Sequence, residues 1–209
     1  VSLFGKTAIP HLAALLEGAE LLVTNDTGTM HIASAAGCQV VLVSVGPVHF
    51  RETGPYGEGH IAVERRREFL MKEETGGDAA SRSAIRAGQV NAAVRAILQG
   101  EASIPGDEAG TLQDVFLYRT AFAPDNCLEW YPLLRPPLGE VDYLRVCFRC
   151  MWLAFMKRDY TEAEEAAALA AILGAYAKDA SVDVAAWRAE ADRAFAELTA
   201  LAEQGIAQT

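Results

Sequence analysis

Between positions 24 and 31 the chain reads Thr24-Asn25-Asp26-Thr27-Gly28-Thr29-Met30-His31, and here residue types and spacing come nearest to chemistry. An apolar run ends at Thr24, and a helical pattern begins near Met30. The first amide hydrogens of a helix have no partner within it, and the helix dipole is positive at that end. Gly28 lets an anion approach the backbone. Thr27 adds a hydroxyl donor, and His31 lies one turn in. A diphosphate is the natural occupant of such a place. Asp26 is not there to hold phosphate, because like charges repel. It suits sugar hydroxyls or the role of a general base. A plainer reading stands beside this one. An Asp or Thr before a helix is first of all an N-cap, and a His one turn in is more often packed than ligating.

Other constellations are weaker. Cys147-Phe148-Arg149-Cys150 is a Cys-x-x-Cys, but zinc needs four ligands and all four histidines precede position 61. The expectation is a pair of buried thiols. Arg65-Arg66-Arg67 reads as a solvated face, with contact to an anionic lipid or membrane surface as the minority reading. Trp130, Tyr131, Trp152 and Trp187 read as core, with Trp130-Tyr131 in a Pro-rich loop as a lesser candidate for sugar stacking. Asp125, Glu129, Glu140 and Asp142 cluster in sequence, but acidic loops are common and a carboxylate pair for glycoside hydrolysis is a remote reading.

The elements that must position Asp26 and its neighbours follow from patterning. Thr7–Glu17 reads as a short helix, with Pro10 in its first turn and Gly18 at its end. Glu20–Thr24 and Gln39–Val45 read as buried strands, Met30–Ala36 as a helix stopped by Gly37, and Ile61–Val63 as a further short strand. Short continuous apolar runs alternating with helices predict a parallel sheet covered on both faces. Gly46–Gly59 reads as loop. Ser81–Leu98 reads as a helix capped by Ser81, with Ile85, Val90, Val94 and Ile97 on one face. Glu101–Gly110 is the linker candidate. Beyond it the pattern predicts helices: a short one over Thr111–Thr120, a strongly apolar one over Val141–Arg158, an Ala-rich one to Ala177, and a last one carrying Trp187, Ala191, Phe195, Leu198 and Ala202. Thr161-Glu162-Ala163-Glu164 has the spacing of a capping box. Pro124–Gly139 reads as irregular.

Composition bounds the rest. The 209 residues are 51% hydrophobic and 22% charged, an ordinary globular balance. The formal net charge of −10 makes a dedicated nucleic-acid binder a poor match. Residues 1–100 carry nine Lys/Arg against ten Asp/Glu, whereas residues 101–209 carry nine against 18. Two units with different surfaces are expected. Four cysteines are too few and too scattered for a disulfide framework. The apolar run Tyr143–Met156 is shorter than the roughly 20 residues of a bilayer span and reads as a buried helix. A soluble, cytoplasmic protein is expected. The first residue is Val1 and the sequence opens mid-pattern, as a fragment of a longer chain would.

The stretch Leu3–Gly57 resembles the C-terminal domain of family 9 glycosyltransferases, the heptosyltransferases of lipopolysaccharide core synthesis. Gly5-Lys6-Thr7 with Leu12-Ala13-Ala14-Leu15-Leu16 looks like the opening helix of that domain. Ala19–Gly28 looks like the family's segment ending in Asp-Thr-Gly. Met30-His31-Ile32-Ala33-Ser34-Ala35-Ala36-Gly37 looks like the helix that follows, and Gly54-Pro55-Tyr56-Gly57 falls where the family has it after the second strand. The resemblance covers roughly residues 1–100, with Ala84–Leu98 as a closing helix. It implies the nucleotide-sugar-binding, Rossmann-like domain of a GT-B enzyme. The expected organisation is then a partial α/β domain at 1–100, a linker at 101–110 and an all-helical C-terminal extension at 111–209.

The resemblance also implies roles. Asp26, Thr27, Gly28 and His31 would contact the diphosphate and sugar of ADP-heptose or a related donor, and Met30 would line the nucleotide cleft. The reaction implied is inverting sugar transfer to a hydroxyl of lipopolysaccharide or another glycan. No cofactor and no metal is implied. Partners would be the nucleotide sugar and a glycan or lipid-linked acceptor, with peripheral contact at the inner face of the cell membrane and self-association through a truncated sheet as further readings. The family's N-terminal domain, its basic phosphate-binding loop and its acceptor-side base have no counterpart here. The fragment alone is therefore expected to be inactive. The sequence departs from the family at Thr29, where Pro is usual, and at Val45-Gly46-Pro47-Val48, which lacks a hydroxyl. A non-catalytic scaffold module is the alternative that these departures leave open.

Overall fold

The computed structural model describes residues 1–45, 49–65, 85–101, 111–112, 114–134 and 161–176, with isolated positions at 104, 145–146, 148–149, 152–153, 156, 189, 193, 196–197 and 200. Helix α1 (Ile9–Glu17) carries Pro10 in its first turn and ends at Gly18. Strand β1 (Leu21–Thr24), helix α2 (Gly28–Ala35) and strand β2 (Gln39–Ser44) follow in the predicted order, but β1 is not the buried strand expected: it lies at the sheet edge, none of its residues is buried and Val23 is 44% exposed. Gly37 ends the α2 turn with φ 78, a left-handed geometry that a side chain disfavours. The Cys38 amide bonds back to the Ala33 carbonyl at 2.9 Å, turning the chain sharply into β2.

The loop expected at 46–59 contains a one-turn helix, α3 (Phe50–Thr53), too short to leave a periodic signal. Strand β3 runs Ile61–Arg65, two residues past the expected end. β1, β2 and β3 pair in parallel, with Val23 opposite Val41 and Val43 opposite Val63. Helix α4 (Ala87–Leu98) begins later than expected, and Ser81 lies outside the described residues. Its buried stripe is Gln89, Ala92, Ala93 and Ala96, while Val90, Val94 and Ile97 sit on the shoulder of that face. Small residues let the helix lie close to the sheet, where Val41, Ile61 and Val63 meet it.

The chain then departs from expectation. Residues predicted as a short helix over Thr111–Thr120 form strand β4 (Val115–Phe122), and the segment predicted as irregular contains strand β5 (Leu128–Pro132). β4 runs antiparallel to β3, with Val63 opposite Leu117, and β5 runs antiparallel to β4. The five strands lie in sequence order. The physical reason is pairing. β3 would otherwise present a row of unpaired backbone groups, and Val115, Phe116, Leu117, Tyr118 and Thr120 suit a pleated surface better than a helix. Alternation divides β4 between faces. Val115 and Leu117 join the α4 side, and Tyr118 packs at 5.1 Å against the Phe50 ring on the other. Gln89, fully buried, donates to Asp114 Oδ1 at 2.6 Å and so ties α4 to the start of the hairpin. Arg119 closes the other end, donating to the Ala96 and Glu101 carbonyls at 2.8 and 2.5 Å. Helical structure therefore does not begin at 111. The 101–110 linker lies almost wholly outside the described residues.

The chain divides into two compact units, Val1–Phe122 with Asn126–Pro136, and Ala123–Asp125 with Pro137–Thr209. In the second, helix α5 (Glu162–Tyr176) has the predicted capping box. The Thr161 amide donates to Glu164 Oε2 at 2.8 Å, and the Glu164 amide donates to Thr161 Oγ1 at 3.2 Å. The bonds from Thr161 hold the Glu164 carboxyl below its ordinary range. Residues 145–146, 148–149 and 152–153 are helical, within the predicted Val141–Arg158 helix. That helix is not simply buried. Val146 is, but Phe148, Trp152 and Met156 are 47%, 58% and 62% exposed. Arg149 makes a two-pronged pair with Asp125 at 2.7 and 2.8 Å. Cys147, Cys150, Arg66, Arg67, Glu140, Asp142, Trp187 and the stripe of the last predicted helix lie outside the described residues.

Candidate functional site

The parallel strands end together. Ser44 pairs with Glu64 and Thr24 with Leu42, so the carboxyl ends of β1, β2 and β3 lie along one edge of the sheet. In open α/β sheets ligands bind at this carboxyl edge. The turn after β1 delivers Thr27 as the backbone N-cap of α2, in extended geometry with φ −151 and ψ 165. No side chain caps the helix, and no acidic residue stands in its first turn. The plain capping reading of Asp26 and Thr27 therefore does not describe what their side chains do. The Thr27 hydroxyl lies 3.5 Å from that of Thr24, and the Asp26 carboxylate accepts a hydrogen bond from the Thr53 hydroxyl.

Thr27, Gly28 and His31 are exposed, and Asp26 is half-buried. A methyl group built on Gly28 would meet nothing within 4 Å. The opening of α2 is thus an uncapped, electropositive helix end with open space over its first residue, which is what an anion requires. Met30 differs from its four companions. It is fully buried on the inner side of α2, so it supports the turn from beneath and offers no surface.

Residues 49–53, in the connection after β2, lie beside this turn, where Thr53 meets Asp26. His49 caps α3, its Nδ1 accepting from the Arg51 amide at 3.2 Å. With Nδ1 accepting, the neutral ring carries its proton on Nε2, which lies 3.4 Å from Glu64 Oε1. Both ring nitrogens are engaged, so His49 clasps the loop to the end of β3 rather than offering a free base. Arg51 donates to Glu129 Oε1 at 3.0 Å and lies over the Tyr118 ring at 4.7 Å. Glu129 Oε1 also accepts from the Trp130 amide at 2.7 Å. Phe50, buried, meets the Trp130 ring edge-on at 4.9 Å. Trp130 and Glu129 are therefore structural groups of β5, not members of a sugar platform or a hydrolytic carboxylate pair.

The structure brings Asp26, Thr27, Gly28 and His31 to one end of α2, as the sequence suggests. Thr53 and Arg51 carry no signal in the sequence, and Glu129 enters it only as one of four clustered acidic residues. Gly54-Pro55-Tyr56-Gly57 stood out as a motif, but no spacing rule joins the residue before it to a carboxylate 27 positions earlier. Among the described residues no group of three or more His, Cys, Asp or Glu side chains could hold a metal ion. No helix of the described residues is long and apolar enough to cross a membrane.

Residues 1–76 match the family model of glycosyltransferase family 9 (heptosyltransferase). The resemblance read from the sequence holds over that stretch, which contains α1 to β3 and the whole Asp26 turn. Helix α4, the β4–β5 hairpin and the second unit lie beyond it. No curated protein and no solved structure matches the chain.

Proposed function

We propose that the sheet unit is the donor-binding part of a family 9 glycosyltransferase. The observation that carries this reading is the amino end of α2, uncapped by any side chain and open above Gly28, inside the stretch that matches the family. The diphosphate of a nucleotide sugar sits at that end, against the first amides and the Thr27 hydroxyl. Asp26 and His31, which flank it, take the sugar hydroxyls and the phosphate oxygens nearest the sugar. Met30 holds the turn from below. The donor is ADP-heptose or a related nucleotide sugar, and the acceptor a glycan such as lipopolysaccharide.

In the transfer step the acceptor oxygen forms a bond to the anomeric carbon as the bond to the diphosphate breaks. Negative charge grows on the departing phosphate oxygen. Fixed amide donors and a helix dipole aimed there stabilise it without reorganising. The acceptor proton goes to a base outside this turn, so this chain supplies donor binding and leaving-group stabilisation.

Calorimetric titration of the full chain with ADP tests the reading. Binding is expected, with His31→Ala weakening it and Gly28→Val abolishing it by more than about tenfold, since the new side chain fills the phosphate position. A Cβ at Gly28 meets no protein atom within 4 Å, so Gly28→Ala is the control whose thermal midpoint should hold. No binding by the wild-type chain would overturn the proposal and favour a scaffold role.

A further inference from the structure

The Asp26 carboxylate is not held by its own turn. It accepts from Thr53, the last residue of α3, across the gap between the first and second parallel connections. α3 in turn is fastened to the hairpin. Arg51 is paired with Glu129 and both are largely buried, Phe50 is packed between Tyr118 and Trp130, and Gly54 brings its backbone so close to the Trp130 ring that an added methyl would lie 2.7 Å from it. The hairpin lies outside the stretch that matches the family.

From this chain of contacts we infer that Thr53 is a positioning residue for Asp26, and that the β4–β5 hairpin sets its place through Arg51. A hydroxyl donor fixes one carboxylate oxygen and the rotamer of the side chain. The second oxygen is then left to accept from a ligand at the α2 end, as a sugar hydroxyl requires. The inference rests on the donor-binding reading above. It adds that sugar recognition, as distinct from diphosphate binding, depends on a part of the chain that the family match does not include.

The experiment compares ADP-heptose with ADP as probes of the full chain. Thr53→Val keeps shape and removes the donor, and Thr53→Ser keeps the donor. Thr53→Val is expected to weaken ADP-heptose about fivefold and to leave ADP unchanged, with Thr53→Ser restoring wild-type affinity. Combined with Asp26→Ala, Thr53→Val should add nothing further, because the two act through one contact. Glu129→Gln should reproduce the selective loss in weaker form. Without ligand, the Asp26 carboxyl carbon resonance should move in Thr53→Val and return in Thr53→Ser. Failure of the wild-type chain to bind either probe overturns the donor reading and this inference with it. Normal binding of both probes by Thr53→Val, or an unmoved Asp26 resonance, overturns this inference alone. Glu129→Gln at wild-type affinity beside a weakened Thr53→Val removes the hairpin from it.

Discussion

A single buried imidazole shows how one residue couples this sheet to pH. His60 is 3% exposed at the entry to β3. Its Nδ1 accepts from the Val40 amide at 3.1 Å, and its own amide donates to Thr120 Oγ1 at 2.9 Å. Burial pushes its pKa below the ordinary 6.5, with a backbone bond to Tyr56 pulling the other way. The folded state thus favours the neutral ring, while the unfolded chain takes up a proton near pH 6.5. The stability this contributes is full above that pH and is lost as pH falls toward the folded value. The urea midpoint is expected to drop between pH 7 and pH 5, and His60→Gln should flatten that slope while lowering stability at pH 7. Equal slopes in the two proteins would sink the argument. Gly54 gives a second test at this scale. Its φ of −63 would suit any residue, so it is space that excludes a side chain. Gly54→Ala should cost about 2 kcal/mol by chemical denaturation, because the methyl meets the Phe50 carbonyl and the Trp130 ring.

Among the elements, those with local signals were legible. Leu21–Val23 and Val40–Val43 are continuous apolar runs, Gly18 and Gly37 stop the helices before each, and Thr161 with Glu164 spells a capping box. Each signal acts over a few residues and survives any tertiary context. β4 was not legible as a strand. Val115–Phe122 carries Arg119 and Thr120 at positions that look polar, yet Thr120 is buried and Arg119 reaches back to cap α4. Whether such a segment becomes strand or helix is decided by an available partner edge, here β3, about 50 residues earlier. Leu117 tests the pairing. It is fully buried against α4 and opposite Val63. Leu117→Ala should cost about 3 kcal/mol, read as a shift in the denaturant midpoint. A loss below about 1 kcal/mol would mean that β4 is not part of the core.

At the scale of the molecule the sheet unit ends well past the point that composition marks. A boundary near residue 100 leaves Leu112, Val115 and Leu117 out of a core to which they belong. It also strips β3 of its antiparallel neighbour. A chain ending at residue 100 is expected to lack a cooperative thermal transition, whereas one ending at residue 136 should show one by circular dichroism. A cooperative transition in the shorter chain would restore the earlier boundary.

The amino-acid sequence by itself determined the parallel β1–α2–β2 unit, the place of the Asp26 turn and the family to which residues 1–76 are similar, because caps, glycine stops and apolar runs act between near neighbours. Only the tertiary structure decided that a later hairpin completes the sheet, that Asp26 is held by Thr53 and not by its own helix, and that His60 is buried neutral. These depend on contacts between segments 20 to 60 residues apart. No local pattern encodes such a contact, since it exists only once both partners have found the same sheet.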